Sequence, residues 1–350
     1  MAAVRNNERV VGIDAARGLA ILLMVFSHGL HWVYTGTSHD LILLFGTLSV
    51  GDLAAPIFFT VAGLSLYLSV TSKLRKGVEP LTLVNRYRHR FAQIFFVGVC
   101  LSLYWGVLQA QAIALFAVAS LFLVCYSRYG LRQSRLIILL LALFSLALHR
   151  LFVVAFPYFP QAVFLRGKLP LFAILGMAGI GFFSSILLDS KWRNALLIFA
   201  GGSLLAVSIF LHLNGIPLER FDFSPSFILF GPGFVIFLVG VFNTDCFKKS
   251  SLVRCLSYIG RDALFLFVFH YVALFVPVYL FGYYNSLGPI HSLLFSSFFA
   301  LVIVFVAFCR RQSSFSIFQL TERIFAVAQE VGNDLVLSFW NSVSEPRNNL

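Results

Sequence analysis

Four polar side chains stand in a stretch where an apolar helix normally has none. Within residues 9–34 (RVVGIDAARGLAILLMVFSHGLHWVY), Asp14, Arg17, His28 and His31 interrupt a run that, after Arg9, is otherwise small or apolar. At 100° per residue, the path from Arg17 to His28 turns 1100° and returns to within about 20° of the same face. Asp14 lies one turn before Arg17, and His31 one turn after His28. One helix therefore carries a polar stripe whose two halves are about 16 Å apart along the axis.

An ionisable group deep in a membrane span costs about 2.5–3.5 kcal/mol on insertion scales, so such a stripe is expected to face a bundle interior or a wet cavity. Neutral imidazole titrates near working pH, which makes His28 a candidate general base or transient acyl acceptor. The plainer readings stay open. Asp14 and Arg17 can neutralise each other one turn apart, and His28 can simply bond a neighbouring helix. Asp52, preceded by Gly51, opens the next apolar run on the His28 side. It suits either a third group orienting an imidazole or a helix cap.

Further candidates are scattered. Arg86 and Arg90 share one helix face, a fork suited to phosphates or to anionic lipid. Arg261 and Asp262 sit just inside a late apolar run and either line a polar tunnel or neutralise each other. His270, in LFLFVFHYVALF, is a packing residue or a second proton-transfer group. His149 and Arg150 are acceptor contacts or snorkelling groups. Gly176, Gly179 and Gly181 read as a close helix approach. The segment 214–225 adds Glu219, Arg220 and Asp222, a solvated loop or a sugar contact.

These residues must be positioned by a membrane bundle. Of 350 residues, 59% are apolar, 11% are charged and 41 are Phe. Soluble domains run near 45–50% apolar and about 25% charged, and disorder needs the opposite balance. Ten apolar runs approach the ~20 residues a helical span requires: 13–34, 52–70, 91–108, 110–126, 136–156, 169–188, 195–213, 226–242, 257–281 and 290–309. Residues 41–50 are too short and suggest a re-entrant or interfacial turn. The alternating segments of a membrane β-barrel are missing.

The formal charge of +12 is read as topology, with no nucleic-acid partner. Eighteen Lys and Arg fall in the N-terminal segment, 71–90, 127–135, 191–193, 248–254 and 310–311. Only Arg166, Lys168 and Arg220 fall on the opposite side. The positive-inside rule then puts both termini in the cytoplasm. The polar first run predicts no cleavable signal. Residues 312–350 mix apolar residues with Glu322, Arg323, Glu330 and Asp334, so a cytoplasmic amphipathic helix is expected after a membrane domain of 1–311. The five cysteines have no paired spacing, so neither disulfides nor a metal site is expected. The fold class is an all-α polytopic membrane protein, multi-pass in the cell (inner) membrane.

Asp14-Ala-Ala-Arg17-Gly18-Leu-Ala followed by His28 resembles the opening of the integral-membrane acyltransferase superfamily. Two branches are close: the acyltransferase-3 type and the heparan-α-glucosaminide N-acetyltransferase type. Ala55-Pro56-Ile-Phe-Phe-Thr-Val-Ala-Gly63-Leu-Ser65, Trp105-Gly106-Val107-Leu108-Gln109, Pro170-Leu-Phe172 with its following glycines, and Ile259-Gly260-Arg261-Asp262-Ala263-Leu264 resemble later segments, chiefly of the second branch. The resemblance implies an enzyme that passes an acyl group, chiefly acetyl, from cytoplasmic acyl-CoA to an amine or hydroxyl of a cell-envelope glycan or glycolipid. It matches His28 and Arg17 to the motif histidine and arginine.

On that reading His28 and His270 are catalytic, with Asp14, Arg17, His31 and Asp52 in the cavity. Arg86, Arg90, Gln109 and Arg261 bind acyl-CoA, and no metal takes part. The partners are the bilayer, the donor, the acceptor and, in a homodimer, a second copy. The rival reading is a proton-coupled transporter or flippase of an envelope precursor, using the same stripe.

Overall fold

The computed structural model describes residues 9–37, 41, 43–45, 48–102, 105–155, 169–220 and 223–312. The expected tail helix lies outside the described residues, as do Arg166, Lys168 and Asp222.

Helices dominate, as they must where no water can satisfy backbone groups. In chain order they are α1 (Val11–Val33), α2 (Ala54–Arg75), α3 (Pro80–Leu101), α4 (Val107–Ala155), α5 (Leu171–Ser184), α6 (Arg193–Leu213), α7 (Pro225–Phe242), α8 (Ser251–Arg261), α9 (Ala263–His270), α10 (Val276–Leu280) and α11 (Pro289–Gln312). Between α1 and α2 a small antiparallel ladder pairs β1 (Leu43–Phe45) with β2 (Leu48–Ser49), in the register Leu43↔Ser49. A 3-10 turn, Val50–Leu53, then feeds α2. The 41–50 stretch is thus a short hairpin as far as it is described, with Leu48 and Ser49 buried.

Among the described residues, eight helices are long and apolar enough to cross a membrane. The expected boundaries shift in three places. The predicted span 91–108 is not one helix: α3 starts earlier, at Pro80, and ends at Leu101, before α4 begins at Val107. The predicted loop 127–135 shrinks to Gly130, whose φ of 76° breaks the 49-residue α4. Glycine adopts that left-handed φ without steric cost. A straight helix of that length would run about 74 Å, more than twice the ~30 Å hydrocarbon core. Instead both arms return to α5. Phe122 of the first arm packs on Phe182 with centroids 4.8 Å apart, while Ala142 of the second arm meets Gly179. The predicted span 257–281 is interrupted at Asp262, which separates α8 from α9, and again by a π turn, Tyr271–Phe275.

Helix α1 sits at the centre. Ala15, Ala16, Ala20, Ile21 and Val25 are fully buried. Two glycine crossings set how closely its neighbours approach. A Cβ on Gly18 would lie 1.9 Å from the Leu256 carbonyl oxygen, and one on Gly260 would lie 1.8 Å from that of Asp14, so α1 and α8 touch backbone to backbone. Gly63 of α2 and Gly181 of α5 repeat this geometry against Ala178 and Thr60, at 2.0 and 2.1 Å. Small residues at crossings are the usual means of tight helix association in lipid.

The basic segments gather at one end of the bundle. Gly12 donates to Asn243 at 2.9 Å, and Asn194 donates to the Asn243 carbonyl at 2.9 Å. Arg135 and Arg75 reach Asp189 at 2.7 and 3.5 Å, and Arg310 reaches Asp262 at 3.5 Å. At the other end, Asn285 and Leu287 donate to carbonyls of Trp32 and Val33, tying the loop before α11 to the end of α1.

Because backbone oxygens block any side chain there, Gly63→Val should destabilise the fold by on the order of 1–3 kcal/mol. Its thermal midpoint in detergent should fall well below the wild type's. Gly202→Ala, whose Cβ meets only Phe237 at 4.0 Å, should melt with the wild type; equal melting of both variants would refute the crossing.

Candidate functional site

The start of α1 is built around one carboxylate. Asp14 is 4% exposed. Its Oδ1 accepts from Arg17 at 3.0 Å, and its Oδ2 accepts from Arg9 at 2.5 Å and lies 3.9 Å from Arg261. Arg17 makes two further bonds, to the Gly260 carbonyl at 3.0 Å and to Ser65 Oγ at 2.6 Å. Gly260 lies at the C-terminal end of α8, where carbonyls lack a helical partner and a cation is favourable. Ser65 donates onward to the Val61 carbonyl at 2.7 Å, which leaves its lone pairs for Arg17. Arg17 thus fastens α1 to α2 and α8 at once.

The other half of the stripe meets α9. His28 Nδ1 lies 3.0 Å from His270 Nε2, with ring centroids 5.3 Å apart. Trp32 stacks on His28 at 5.6 Å, and Tyr271 meets it edge-on at 5.9 Å. His270 is fully buried, whereas His28 is partly exposed. His270 is the last residue of α9 and immediately precedes the π turn. Such turns alter the register of a helix and are frequent at functional sites.

The other candidates divide between the two ends. Asp52 closes a capping box with Ser49 and pairs with Arg220 at 2.8 Å, so it serves as a cap and loop anchor. The group that meets the His28 ring is His270. His31 is exposed one turn beyond His28.

Arg86 and Arg90 are exposed on the first half of α3. Their charges bear on Lys73, and that of Arg90 also bears on Arg17. Lys73 lies 4.6 Å above the Tyr87 ring, and Tyr87 bonds Ser69 at 2.8 Å. Outside the apolar span, Tyr87 has its phenol pushed above its ordinary pKa, first by burial. Arg261 joins the Asp14 group and stacks on Tyr258 at 5.6 Å.

Gln109 stands apart from Arg86 and Arg90, beyond the opposite end of α3. Its amide is buried and donates to the Ser102 carbonyl at 3.0 Å. His149 is buried and meets Phe223 edge-on. A separate apolar cavity of about 270 Å³ between α8 and α11, lined by Cys255, Tyr258, Leu301 and Phe305 among others, holds none of the candidate imidazoles or carboxylates.

Sequence reasoning missed Ser65 as a partner of Arg17, Arg220 as the partner of Asp52, and Lys73 with Tyr87. The His28–His270 contact spans 242 positions, and no local pattern signals it.

Residues 10–129 match a family described as an acyltransferase domain, of the acyltransferase-3 type. That range holds Asp14, Arg17, His28, Asp52, Arg86 and Arg90, but not Arg261 or His270. The heparan-alpha-glucosaminide N-acetyltransferase of Mus musculus is 34% identical over 131 residues, covering 33% of this chain and 19% of that protein. Its Homo sapiens counterpart is 32% identical over 130 residues, covering 32% and 19%. The aligned part of the chain therefore spans about a fifth of the length of these relatives. Together the matches support the acyltransferase-3-like superfamily.

Neutralising Asp14 would leave Arg9, Arg17 and Arg261 facing one another. Asp14→Asn should therefore lower the thermal midpoint sharply, by the equivalent of about 3–5 kcal/mol for breaking a buried pair. The double variant Asp14→Asn/Arg17→Gln should recover part of that loss. A double variant as unstable as the sum of the two singles would show that the pair is not coupled.

Proposed function

We propose that this chain, acyltransferase-3-like over residues 10–129, carries an acyl group across a membrane, from cytoplasmic acyl-CoA to an acceptor on the opposite side. Acetyl is the favoured group, since the relatives are named as N-acetyltransferases. The acceptor is an amine or hydroxyl of a cell-envelope glycan or glycolipid. The protein is multi-pass in the cell membrane with both termini cytoplasmic. α3 and the two arms of α4 bring the crossings to about ten.

The observation that carries the reading is the imidazole pair itself. His28 lies inside the matched range, meets His270 at 3.0 Å, and sits about 16 Å along α1 from Arg17. Arg86, Arg90 and Lys73 at the basic end are suited to the phosphates of the donor, because guanidinium and ammonium groups pair with phosphate oxygens. Arg17 and Arg261 continue that positive surface inward. The pantetheine arm of the donor then lies along α1 and presents its thioester toward His28.

In the reaction, the acceptor O–H or N–H gives its proton to imidazole as the acyl–oxygen or acyl–nitrogen bond forms. The acyl–sulfur bond breaks, and the thiolate leaves toward the basic end. The proton held by imidazole balances the thiolate, so acyl-CoA and acceptor become acylated acceptor and free CoA. A positioned base of this kind contributes roughly 10²–10⁴-fold.

Purified protein in detergent, supplied with radiolabelled acetyl-CoA and a mixture of envelope glycans, should label the glycans. His28→Ala should lose at least roughly 10²-fold of the rate while still binding the donor. If wild type neither binds nor consumes acetyl-CoA, the acyltransferase reading fails. If His28→Ala retains full rate, the imidazole assignment fails.

A further inference from the structure

We propose that His270 is a positioning residue that fixes the tautomer of His28, so that the proton is taken by His28 Nε2. This rests on the acyl-transfer reading above but concerns the division of labour inside the pair.

The two rings differ in access. His270 is fully buried, with Tyr271 at 4.6 Å, Phe267 at 5.4 Å and His28 at 5.3 Å between ring centroids. No face is left on which an acceptor hydroxyl could approach it. His28 is partly exposed and stands between His270 and Trp32. Of the two imidazoles, His28 is the one an acceptor can reach.

The proton positions follow from the contact and from the role of His28 as the base. His28 Nδ1 faces His270 Nε2, and His270 Nδ1 is buried without a hydrogen-bond partner among the described residues. The nitrogen of His28 left for the acceptor proton is therefore Nε2, which can take it only if His270 carries its own proton on Nδ1. Its Nε2 is then a lone pair. A neutral imidazole has one donor and one acceptor, so His28 must donate through Nδ1 across the 3.0 Å contact. That leaves the lone pair of His28 on Nε2, the nitrogen that does not face His270.

The order of contacts is His270, His28, acceptor. When His28 takes the acceptor proton, the positive charge is shared with a neutral neighbour through an existing hydrogen bond. A carboxylate in the place of His270 would orient His28 equally well, but it would put a permanent charge in the apolar bundle, which is costly. A buried imidazole avoids that cost.

Three variants and one spectrum test this. His270→Gln places an amide oxygen near the former Nε2, where it can accept from His28 Nδ1. It should keep the acetyl-transfer rate within roughly 10-fold of wild type, whereas His270→Leu should lose roughly 10²–10⁴-fold in kcat with the donor KM unchanged. His28→Gln should be as slow as His270→Leu or slower. If His270 were itself the base, Gln and Leu would be equally inactive, and that result overturns the proposal.

The spectrum is independent of turnover. With ring-¹⁵N histidine, wild type in nanodiscs should show His28 protonated on Nδ1. His270→Leu should revert it to the Nε2–H form that free imidazole prefers. Finding Nε2–H on His28 in wild type overturns the proposal. An Nδ1–H signal in a wild type that transfers no acetyl supports the tautomer assignment and removes only the acyl-transfer reading.

Discussion

An ion inside a bilayer must be paired by protein, and α1 carries its carboxylate where protein surrounds it. Asp14 is buried among Arg9, Arg17 and Arg261. This one carboxylate governs much of what lies around it. α8 must approach close enough for the Gly260 carbonyl in its last turn to accept from Arg17, and the Gly18–Gly260 crossing permits that. α2 must present Ser65. Three arginines on a single carboxylate leave excess positive charge at this end, which favours an anionic visitor.

The same helix changes character along its length. At one end its polar groups are charged and anchored to neighbours. At the other the His28 imidazole packs against Trp32, Tyr271 and His270. That gradient suits a reaction whose phosphorylated donor stays near water while its small acyl group reaches a drier place. The π turn after His270 and the break at Asp262 divide the late apolar run into short pieces. Each piece is then free to aim one functional side chain, His270 or Arg261, at α1.

Much of this was legible in the sequence because bilayer physics is legible there. Apolar runs, the side preference of Lys and Arg, and the stripe on 9–34 each follow from local spacing. The helix face shared by Arg86 and Arg90 is legible from their spacing, but the continuous apolar run 91–108 hides the break between Leu101 and Val107. The segment 127–135 carries enough charge to suggest a loop, although one glycine, Gly130, suffices for the turn. The roles of Asp52 and His270 could not be separated in advance. Both depend on contacts between residues far apart in the chain, Asp52 with Arg220 and His28 with His270, and local spacing carries no record of such contacts. His28 lies inside the matched range 10–129 and meets His270 in the structure.

The central claim is a single path along α1 from a basic mouth to an imidazole pair. A density map of the protein in nanodiscs with a non-hydrolysable acetyl-CoA analogue tests it most directly. The account predicts the nucleotide beside Arg86 and Arg90, with the arm running past Arg17 and the acetyl group directed toward His28. Nucleotide density at the Asp52–Arg220 end, or an arm that leaves α1 altogether, would contradict it.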